Sequence, residues 1–245
     1  MQFSFADELN GWLATPGVPE TECGGQGVEI WRTTDGAASW NMIASVASPQ
    51  GGSSGIAFTQ CKESLSFTDP LHGFLGAWGN LGRPAIYATA DGGRTWKGAT
   101  LPDPPGFVTQ GGPGLRAGLV KRFGGTLLVL ATSDQGDGYV FRSPDEGASW
   151  TYLAKAGGGA NYLTFVTASR WLVINNDATA VETTDGGSSW HPFTTDYSNA
   201  AGVPTFFVFG DANVGYGTVR GGMERTLDGG AHWSIIETPG VFWPG

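Results

Sequence analysis

Short runs of apolar residues that alternate with polar ones recur along the chain. Four of these runs begin with two bulky apolar residues that stand two positions apart: Phe3 and Phe5, Leu65 and Phe67, Leu163 and Phe165, and Phe207 and Phe209. A period of two is typical of β-strands with one buried face. No stretch of about 12 residues keeps the period of an amphipathic helix. The pattern therefore predicts an all-β chain built from short strands.

An eight-residue motif with a hydroxyl residue, an aspartate and a closing tryptophan occurs five times. The copies are TTDGAASW (33–40), TADGGRTW (89–96), SPDEGASW (143–150), TTDGGSSW (183–190) and TLDGGAHW (226–233). They lie about 40 to 55 residues apart, which is the spacing of a repeat architecture. The chain is therefore predicted to repeat one structural unit five times.

Each copy of the motif predicts a pinned hairpin turn. The aspartate can accept hydrogen bonds from the amides that follow it, a structural role assigned to Asp35, Asp91, Asp145, Asp185 and Asp228. Glycine supplies a positive φ in four copies, whereas Ala37 takes its place in the first, so a distorted turn is predicted there. The closing tryptophans are predicted to be buried at equivalent places in the core: Trp40, Trp96, Trp150, Trp190 and Trp233.

The alternating run and the motif together predict two hairpins in each unit, hence four antiparallel strands, A to D. The predicted units cover residues 2–46, 64–101, 117–154, 161–195 and 205–237. Four-stranded sheets repeated around an axis make a β-propeller. We therefore predict an all-β fold, a single β-propeller domain over residues 1–245 with five four-stranded antiparallel blades. A fragment of a six- or seven-bladed ring is the alternative.

Composition narrows the classes of partner. The chain has 41 glycines, 14% charged residues and a net charge of −9, and this acidity argues against nucleic-acid binding, which needs clusters of lysine and arginine. No apolar run reaches the roughly 18 residues of a membrane-spanning helix. The three histidines lack metal-ligand spacing, so neither a metal nor a cofactor is expected.

The motif resembles the Asp-box of the bacterial neuraminidase repeat, and the resemblance extends over nearly the full chain. The finer pattern F-x-D-x-x-x-G-W, seen in FSFADELNGW (3–12), is most similar to photosystem II stability/assembly factor-like and uncharacterised sialidase-like bacterial proteins. This resemblance implies a non-catalytic binding or assembly scaffold for a protein or glycan. A glycoside hydrolase of the sialidase superfamily is the alternative, although the Arg-containing motif that sialidases carry before the first box is absent.

Any ligand site is expected on the face opposite the Asp-boxes, where the long D–A linkers and B–C loops emerge. The loops carry charged, amide and aromatic side chains, and the candidate ligand-binding residues are Glu20, Glu22, Trp78, Arg83, Asp134, Asp137, Asn176, Asp177 and Arg220. Solvated loop charge is the simpler interpretation of the same residues.

Two cysteines bear on the cellular location. Cys23 and Cys61 stand in long loops of adjoining units, so a disulfide is conceivable, with two free thiols as the alternative. No signal peptide precedes the first strand. We expect a mature domain or fragment of an exported protein (extracellular, periplasmic or on the cell surface) rather than a cytoplasmic one, and we expect a monomer.

Overall fold

The structure is a computed structural model that describes residues 1–79, 82–107, 114–158, 163–175, 179–197, 206–219 and 222–237. Of the candidate site residues, Asn176, Asp177 and Arg220 lie outside these ranges. Within them the backbone forms antiparallel strands and a single turn of 3-10 helix at Thr21–Cys23. The prediction of an all-β fold is confirmed.

The chain divides into two compact units, and the first comprises Met1–Gln135 and Tyr139–Leu153. It holds three antiparallel sheets, blades 1 to 3. Blade 1 consists of β1 (Gln2–Phe5), β2 (Gly11–Pro16), β3 (Val28–Thr33) and β4 (Asn41–Val46). Blade 2 consists of β5 (Cys61–Phe67), β6 (Gly73–Gly79), β7 (Gly82–Thr89) and β8 (Lys97–Thr100). Blade 3 consists of β10 (Lys121–Phe123), β11 (Thr126–Thr132), β12 (Gly138–Ser143) and β13 (Thr151–Lys155), with β9 (Arg116–Ala117) paired to β11.

The second unit comprises Gly136–Gly138 and Ala154–Gly245 and holds two further sheets. Blade 4 consists of β14 (Leu163–Phe165), β15 (Trp171–Ile174), β16 (Ala180–Thr183) and β17 (His191–Pro192). Blade 5 consists of β18 (Phe207–Phe209), β19 (Gly215–Val219), β20 (Gly222–Thr226) and β21 (Trp233–Ile236). The five predicted blades are thus confirmed, each with its strands in sequence order, while the single domain stays a prediction.

The F-x-D-x-x-x-G pattern has a packing explanation. Phe5 lies opposite Gly11 in the register, and a Cβ on that glycine would come within 2.4 Å of the Phe5 ring. The Phe67–Gly73 pair repeats this contact at 2.5 Å. In both pairs the phenylalanine ring lies on the glycine backbone of the next strand, and a side chain in place of the glycine would displace the ring. The aspartate of the pattern caps the A–B turn, since Asp7 Oδ1 accepts hydrogen bonds from the amides of residues 9 and 10.

Blades 1 and 2 pack face to face in the first unit. Trp12 of β2 is fully buried and its ring stacks on that of Phe67, 3.7 Å away and nearly parallel. Its Nε1–H donates to the Gly92 carbonyl oxygen at 2.8 Å. Ser4 Oγ accepts a hydrogen bond from the amide of Phe67, which ties β1 to β5. Aromatic stacking and hydrogen bonds therefore both stabilise the interface between blades 1 and 2.

All five Asp-boxes share one hydrogen-bond network. In the second box Thr89 Oγ1 donates to Asp91 Oδ1 at 2.8 Å and accepts from the amide of Gly93 at 3.0 Å. Asp91 then accepts from the amide and the hydroxyl of Thr95. The other four boxes repeat these bonds, with the ring of His232 in place of the last hydroxyl in the fifth. The aspartates accept backbone hydrogen bonds within their own turns, as predicted.

The distortion predicted for the first box is wrong. Ala37 adopts a φ of +72°, in the same left-handed region as the glycines at the equivalent position of the other four boxes, which range from +84° to +102°, and its amide still donates to Thr33 Oγ1 at 3.0 Å. The network holds the alanine in a left-handed conformation that costs an L-residue about 1–2 kcal/mol. The turn therefore keeps its shape, and the strained φ of Ala37 lowers the free energy of unfolding.

Ala37→Gly is therefore expected to raise the free energy of unfolding by roughly 0.5–1 kcal/mol, since glycine adopts a positive φ without a steric penalty. Urea unfolding would measure the change. The matched control is Ala38→Gly at the neighbouring position of the same turn, which should not stabilise the protein. Equal effects at both positions would contradict the assignment of strain to Ala37.

The predicted equivalent burial of the five box tryptophans is wrong for three of them. Trp96 and Trp150 are buried, whereas Trp40, Trp190 and Trp233 are only half-buried. The box tryptophans stand where the outer strand begins, so their burial depends on whether a neighbouring loop packs over them. A loop packs against Trp96, because the Trp96 amide donates to the Ser54 carbonyl oxygen and the Trp96 carbonyl oxygen closely approaches Gly55.

The Asp-boxes predict a loss of stability in acid. Hydrogen bonds from Ser39 and Ser189 hold the pKa of Asp35 and of Asp185 at about 2, against 3.8 for the unfolded chain. Backbone and side-chain bonds from His232 hold the pKa of Asp228 at about 2. Because the folded state binds fewer protons than the unfolded state, this contribution is present above about pH 4 and is lost towards pH 2.

We expect the melting temperature to fall steeply between pH 4 and pH 2, and circular dichroism melts at constant ionic strength would record it. Asp185→Asn should be less stable than the wild type at pH 6 and should lose less on acidification. A melting temperature that does not change between pH 5 and pH 2 would show that the carboxylates contribute nothing.

Candidate ligand-binding face

The loop between β2 and β3 is fastened to the start of β5. Cys23 and Cys61 form a disulfide with an S–S distance of 2.02 Å and a Cα–Cα distance of 5.1 Å, within the reach that the sequence-based prediction requires. Gln26 adds a second tie, because its Oε1 accepts a hydrogen bond from the amide of Lys62 at 2.7 Å. These ties give the loop a defined position beside blade 2.

Lys62 is a buried cation within this junction. Its Nζ lies 2.6–3.3 Å from four backbone carbonyl oxygens, those of Gln26, Phe58, Thr59 and Gln60, which share its three N–H donors. Burial lowers the pKa of Lys62 to about 8. The carbonyl oxygens replace the water that the ammonium loses, which a buried charge requires. The sequence pattern places Lys62 in an irregular linker, and nothing in the segment QCKES indicates that it is a buried cation.

Next to the junction stands a group of side chains that we call the Trp78 cluster: Glu63, Trp78, Arg116 and Asp134. Trp78 pairs with Cys61 in the β5–β6 register. The guanidinium carbon of Arg116 lies 3.9 Å from the centre of the Trp78 ring, a cation–π contact. Arg116 Nη2 also lies 3.3 Å from Asp134 Oδ1. The short strand β9 holds Arg116 here by pairing with β11, after which the chain reaches Asp134.

The Trp78 cluster contains polar atoms with unused hydrogen-bonding capacity. Among the described residues, Arg116 Nε is a buried N–H group without a hydrogen-bond partner, whereas the indole N–H of Trp78 faces the Glu63 carboxylate. Burial raises the pKa of Glu63, and a hydrogen bond from the Trp78 side chain and the positive charge of Arg116 oppose that rise. Unpaired buried donors are costly unless a further acceptor satisfies them. The cluster is thus suited to a ligand that brings oxygen acceptors.

The structure corrects the placement of two candidate residues. Trp78 and Arg83 were assigned to a loop, but they belong to strands β6 and β7, because pairing continues further along both strands than the pattern indicated. Of the candidate residues, Trp78 and Asp134 belong to the Trp78 cluster. Arg83 Nη2 pairs with Asp103 at 2.6 Å, and the Arg83 carbonyl accepts a hydrogen bond from Gln60.

The remaining candidates lie in different surroundings. Glu20 and Glu22 are exposed at the 3-10 helix, and Glu20 lines a cavity of about 620 Å³ beside β3 and β4. A Cβ on Gly79 would come within 2.7 Å of the Cys23 carbonyl oxygen, so this helix runs close to the end of β6. Asp137 belongs to the second unit and pairs there with Lys155 at 2.8 Å.

Three arginines at one equivalent position of the C strand behave differently. Arg32 packs over the ring of Trp12 at 5.1 Å and donates to Asn10 Oδ1. Arg142 is exposed and Arg225 is half-buried. They therefore do not form a uniform basic stripe.

The described residues contain no group of three or more His, Cys, Asp or Glu side chains arranged to hold a metal ion. The described part of the chain also has no helix long and apolar enough to cross a membrane.

Solved structures similar to this one share its architecture. A structure of YCF48 bound to D1 peptide matches 96% of this chain and 79% of its own chain, with a TM-score of 0.51 and 18% sequence identity. An α-L-arabinanase of Penicillium chrysogenum complexed with arabinobiose matches 97% of this chain and 80% of its own, with a TM-score of 0.57 and 12% identity. At these identities the likeness establishes the fold. The chain is a β-propeller.

Sequence comparison adds a more specific similarity. The Photosystem II assembly lipoprotein Ycf48 of Synechococcus sp. (strain CC9902) is 30% identical to this β-propeller over 141 residues. The match covers 56% of the chain but 38% of that protein, so the chain spans well under half of this curated relative. No protein-family model matches the chain. The similarity to assembly-factor propellers suggested by the F-x-D-x-x-x-G-W pattern is therefore found by sequence and by structure.

Proposed function

We propose that this β-propeller is a non-catalytic binding or assembly scaffold that takes an extended protein segment at the Trp78 cluster. The observation that carries the proposal is the buried, unpaired Nε–H donor of Arg116 beside a preformed Arg116–Trp78 stack. An extended peptide offers backbone carbonyl oxygens at regular intervals, and these are the acceptors that the Arg116 Nε–H lacks. The disulfide holds the surrounding loop in place before binding, and this lowers the entropy lost on association.

The comparisons support a peptide more than a glycan. Ycf48 is described as an assembly protein, and one structure of YCF48 is described as bound to a D1 peptide. The arabinanase resembles this chain at 12% identity, which concerns the fold alone. A glycan therefore stays the second choice of ligand, and glycoside hydrolysis the alternative activity.

We also propose that the protein acts outside the reducing cytoplasm. The Cys23–Cys61 disulfide supports this location, because structural disulfides persist mainly in oxidising compartments.

The test measures the binding of a fluorescein-labelled D1 peptide by fluorescence anisotropy. Arg116→Gln should weaken binding by at least about tenfold, since it removes a charged group and its stack on Trp78. The matched control is Arg142→Gln, an exposed arginine on β12 of the same blade, which should bind as the wild type does. Absence of binding by the wild type, or equal affinities for all three proteins, would contradict the proposal.

A second expected result is negative: the purified protein should not release sialic acid from a fluorogenic sialoside. Sialidase chemistry needs converging arginines on the substrate carboxylate, and here Arg83 and Arg116 are already paired with Asp103 and Asp134. Turnover above a heat-killed control that disappears in Arg83→Ala would overturn the non-catalytic assignment and favour the hydrolase.

A further inference from the structure

Left-handed backbone conformations are concentrated around the Cys23–Cys61 disulfide. Among the described residues, six residues other than glycine adopt a positive φ, and four of them lie beside this bond: Glu22 (+58°), Cys23 itself (+55°), Gln60 (+78°) and Ser64 (+62°). This conformation is unfavourable for L-residues. Such strain persists only where the surrounding structure holds it, and it is most frequent at ligand sites and switches. Both ends of the bond are therefore held in conformations that the backbone does not favour by itself.

The disulfide joins the tip of a turn to the strand β5. The turn is closed by its own hydrogen bond, in which the amide of Glu20 donates to the Gly25 carbonyl oxygen at 2.7 Å. A second attachment lies at the far end of the turn, where the amide of Gln26 donates to the Phe58 carbonyl oxygen and Gln26 Oε1 accepts from the amide of Lys62. Without the disulfide the turn is attached through Gln26 and is free at its tip.

The same bond lies next to the Trp78 cluster. Cys61 is the cross-strand neighbour of Trp78 in the β5–β6 register, and Glu63, two residues further along β5, accepts the hydrogen bond from the Trp78 side chain. The register becomes irregular immediately after Glu63. The Cys23 carbonyl oxygen approaches the end of β6 so closely that a Cβ on Gly79 would come within 2.7 Å of it. A release of the turn is therefore transmitted to the cluster through β5 and β6.

The two cysteines differ in their access to solvent. Cys23 is half-buried, whereas Cys61 is only 7% exposed. A dithiol reductant therefore attacks the Cys23 sulfur, and the S–S bond breaks with the Cys61 sulfur leaving as a thiolate. The second thiol of the reductant then displaces the Cys23 sulfur and forms a disulfide within the reductant. The protein gains two electrons and two protons, and the dithiol loses the same number.

We propose that the Cys23–Cys61 disulfide is a redox switch for the Trp78 cluster, in which the oxidised form binds an extended peptide and reduction by a dithiol releases it. The oxidised bond holds the strained turn against β5 and β6, and its reduction lets the turn relax about Gln26. The turn then has to be ordered again on binding, and this ordering lowers the affinity. The inference rests on the proposed function, since it concerns the regulation of the same site.

The experiment compares the oxidised protein with protein reduced by dithiothreitol, and it measures the fluorescence anisotropy of the fluorescein-labelled D1 peptide. Reduction should raise Kd by at least about fivefold, and reoxidation with oxidised glutathione should restore the original value. The double variant Cys23→Ser/Cys61→Ser is the control, and it should bind as the reduced protein does, with and without reductant. Equal affinities of the oxidised and the reduced wild type would overturn the proposal.

Hydrogen exchange of the free protein tests the switch without a ligand. Reduction should speed amide exchange at least about tenfold in residues 20–26, 58–64 and 76–79, while β12 and β13 of blade 3 keep their protection. Unchanged exchange in the three segments would overturn the switch, and so would an equal acceleration in β12 and β13, which indicates global unfolding. If neither form binds the peptide but the three segments respond, the proposed peptide ligand is wrong and the redox response of the site is confirmed.

Discussion

Trp12→Ala is expected to lower the free energy of unfolding by about 3–5 kcal/mol, the range for truncating a large buried aromatic. Trp12 is fully buried, its ring stacks on Phe67, and its indole N–H donates to the Gly92 carbonyl. The substitution removes the stack, opens a cavity between blades 1 and 2, and leaves a carbonyl without its donor. Urea unfolding followed by circular dichroism would measure the loss.

Trp40→Ala is the matched control, since it truncates the same side chain in the same blade. Trp40 is half-buried and meets the Phe5 ring edge-on at 6.2 Å. We expect a smaller loss, about 1–2 kcal/mol, as for a partly exposed residue. If Trp40→Ala costs as much as Trp12→Ala, the core of blade 1 is not organised around Trp12.

Removing the disulfide is expected to have the second large effect. The bond closes a loop of 38 residues, which corresponds to up to about 4 kcal/mol in the chain-entropy model. The double variant Cys23→Ser/Cys61→Ser should therefore unfold at a clearly lower urea concentration than the oxidised wild type. It also leaves the Gln26–Lys62 hydrogen bonds to hold the loop beside the Trp78 cluster without the covalent link.

A reducing agent provides the control for this effect. Reduction should shift the wild type towards the double variant and should leave the double variant unchanged. Intact-mass measurement after alkylation, with and without reduction, would establish the state of the thiols directly. Two thiols that alkylate without prior reduction would contradict the disulfide.

The local features of the fold could be predicted from the sequence because their causes are local. The aspartate, the hydroxyl residue and the small residues of each Asp-box lie within eight positions and bond to one another, so five copies predicted five turns. The period of two predicted the strands, and the repeat predicted their grouping into blades. Ala37 shows the limit of such reasoning, because the network around it enforces a conformation that its own preference opposes.

The candidate site depended on contacts between distant segments. Trp78 and Asp134 were identified because they are chemically conspicuous near predicted loops. Glu63 and Arg116 were missed, since nothing near them in the chain reveals that β9 pairs with β11 and brings the guanidinium over Trp78.

The burial of side chains at equivalent positions also depended on the tertiary structure. The sequence by itself determined the strands, the turns and the five-fold repeat, because short-range hydrogen bonds and alternation specify them. Only the tertiary structure decided that Trp96 is buried while Trp40 is half-buried, and that Phe67 is covered while Phe5 is not. Equivalent residues have the same local preference, and what differs is whether another blade or loop packs over them.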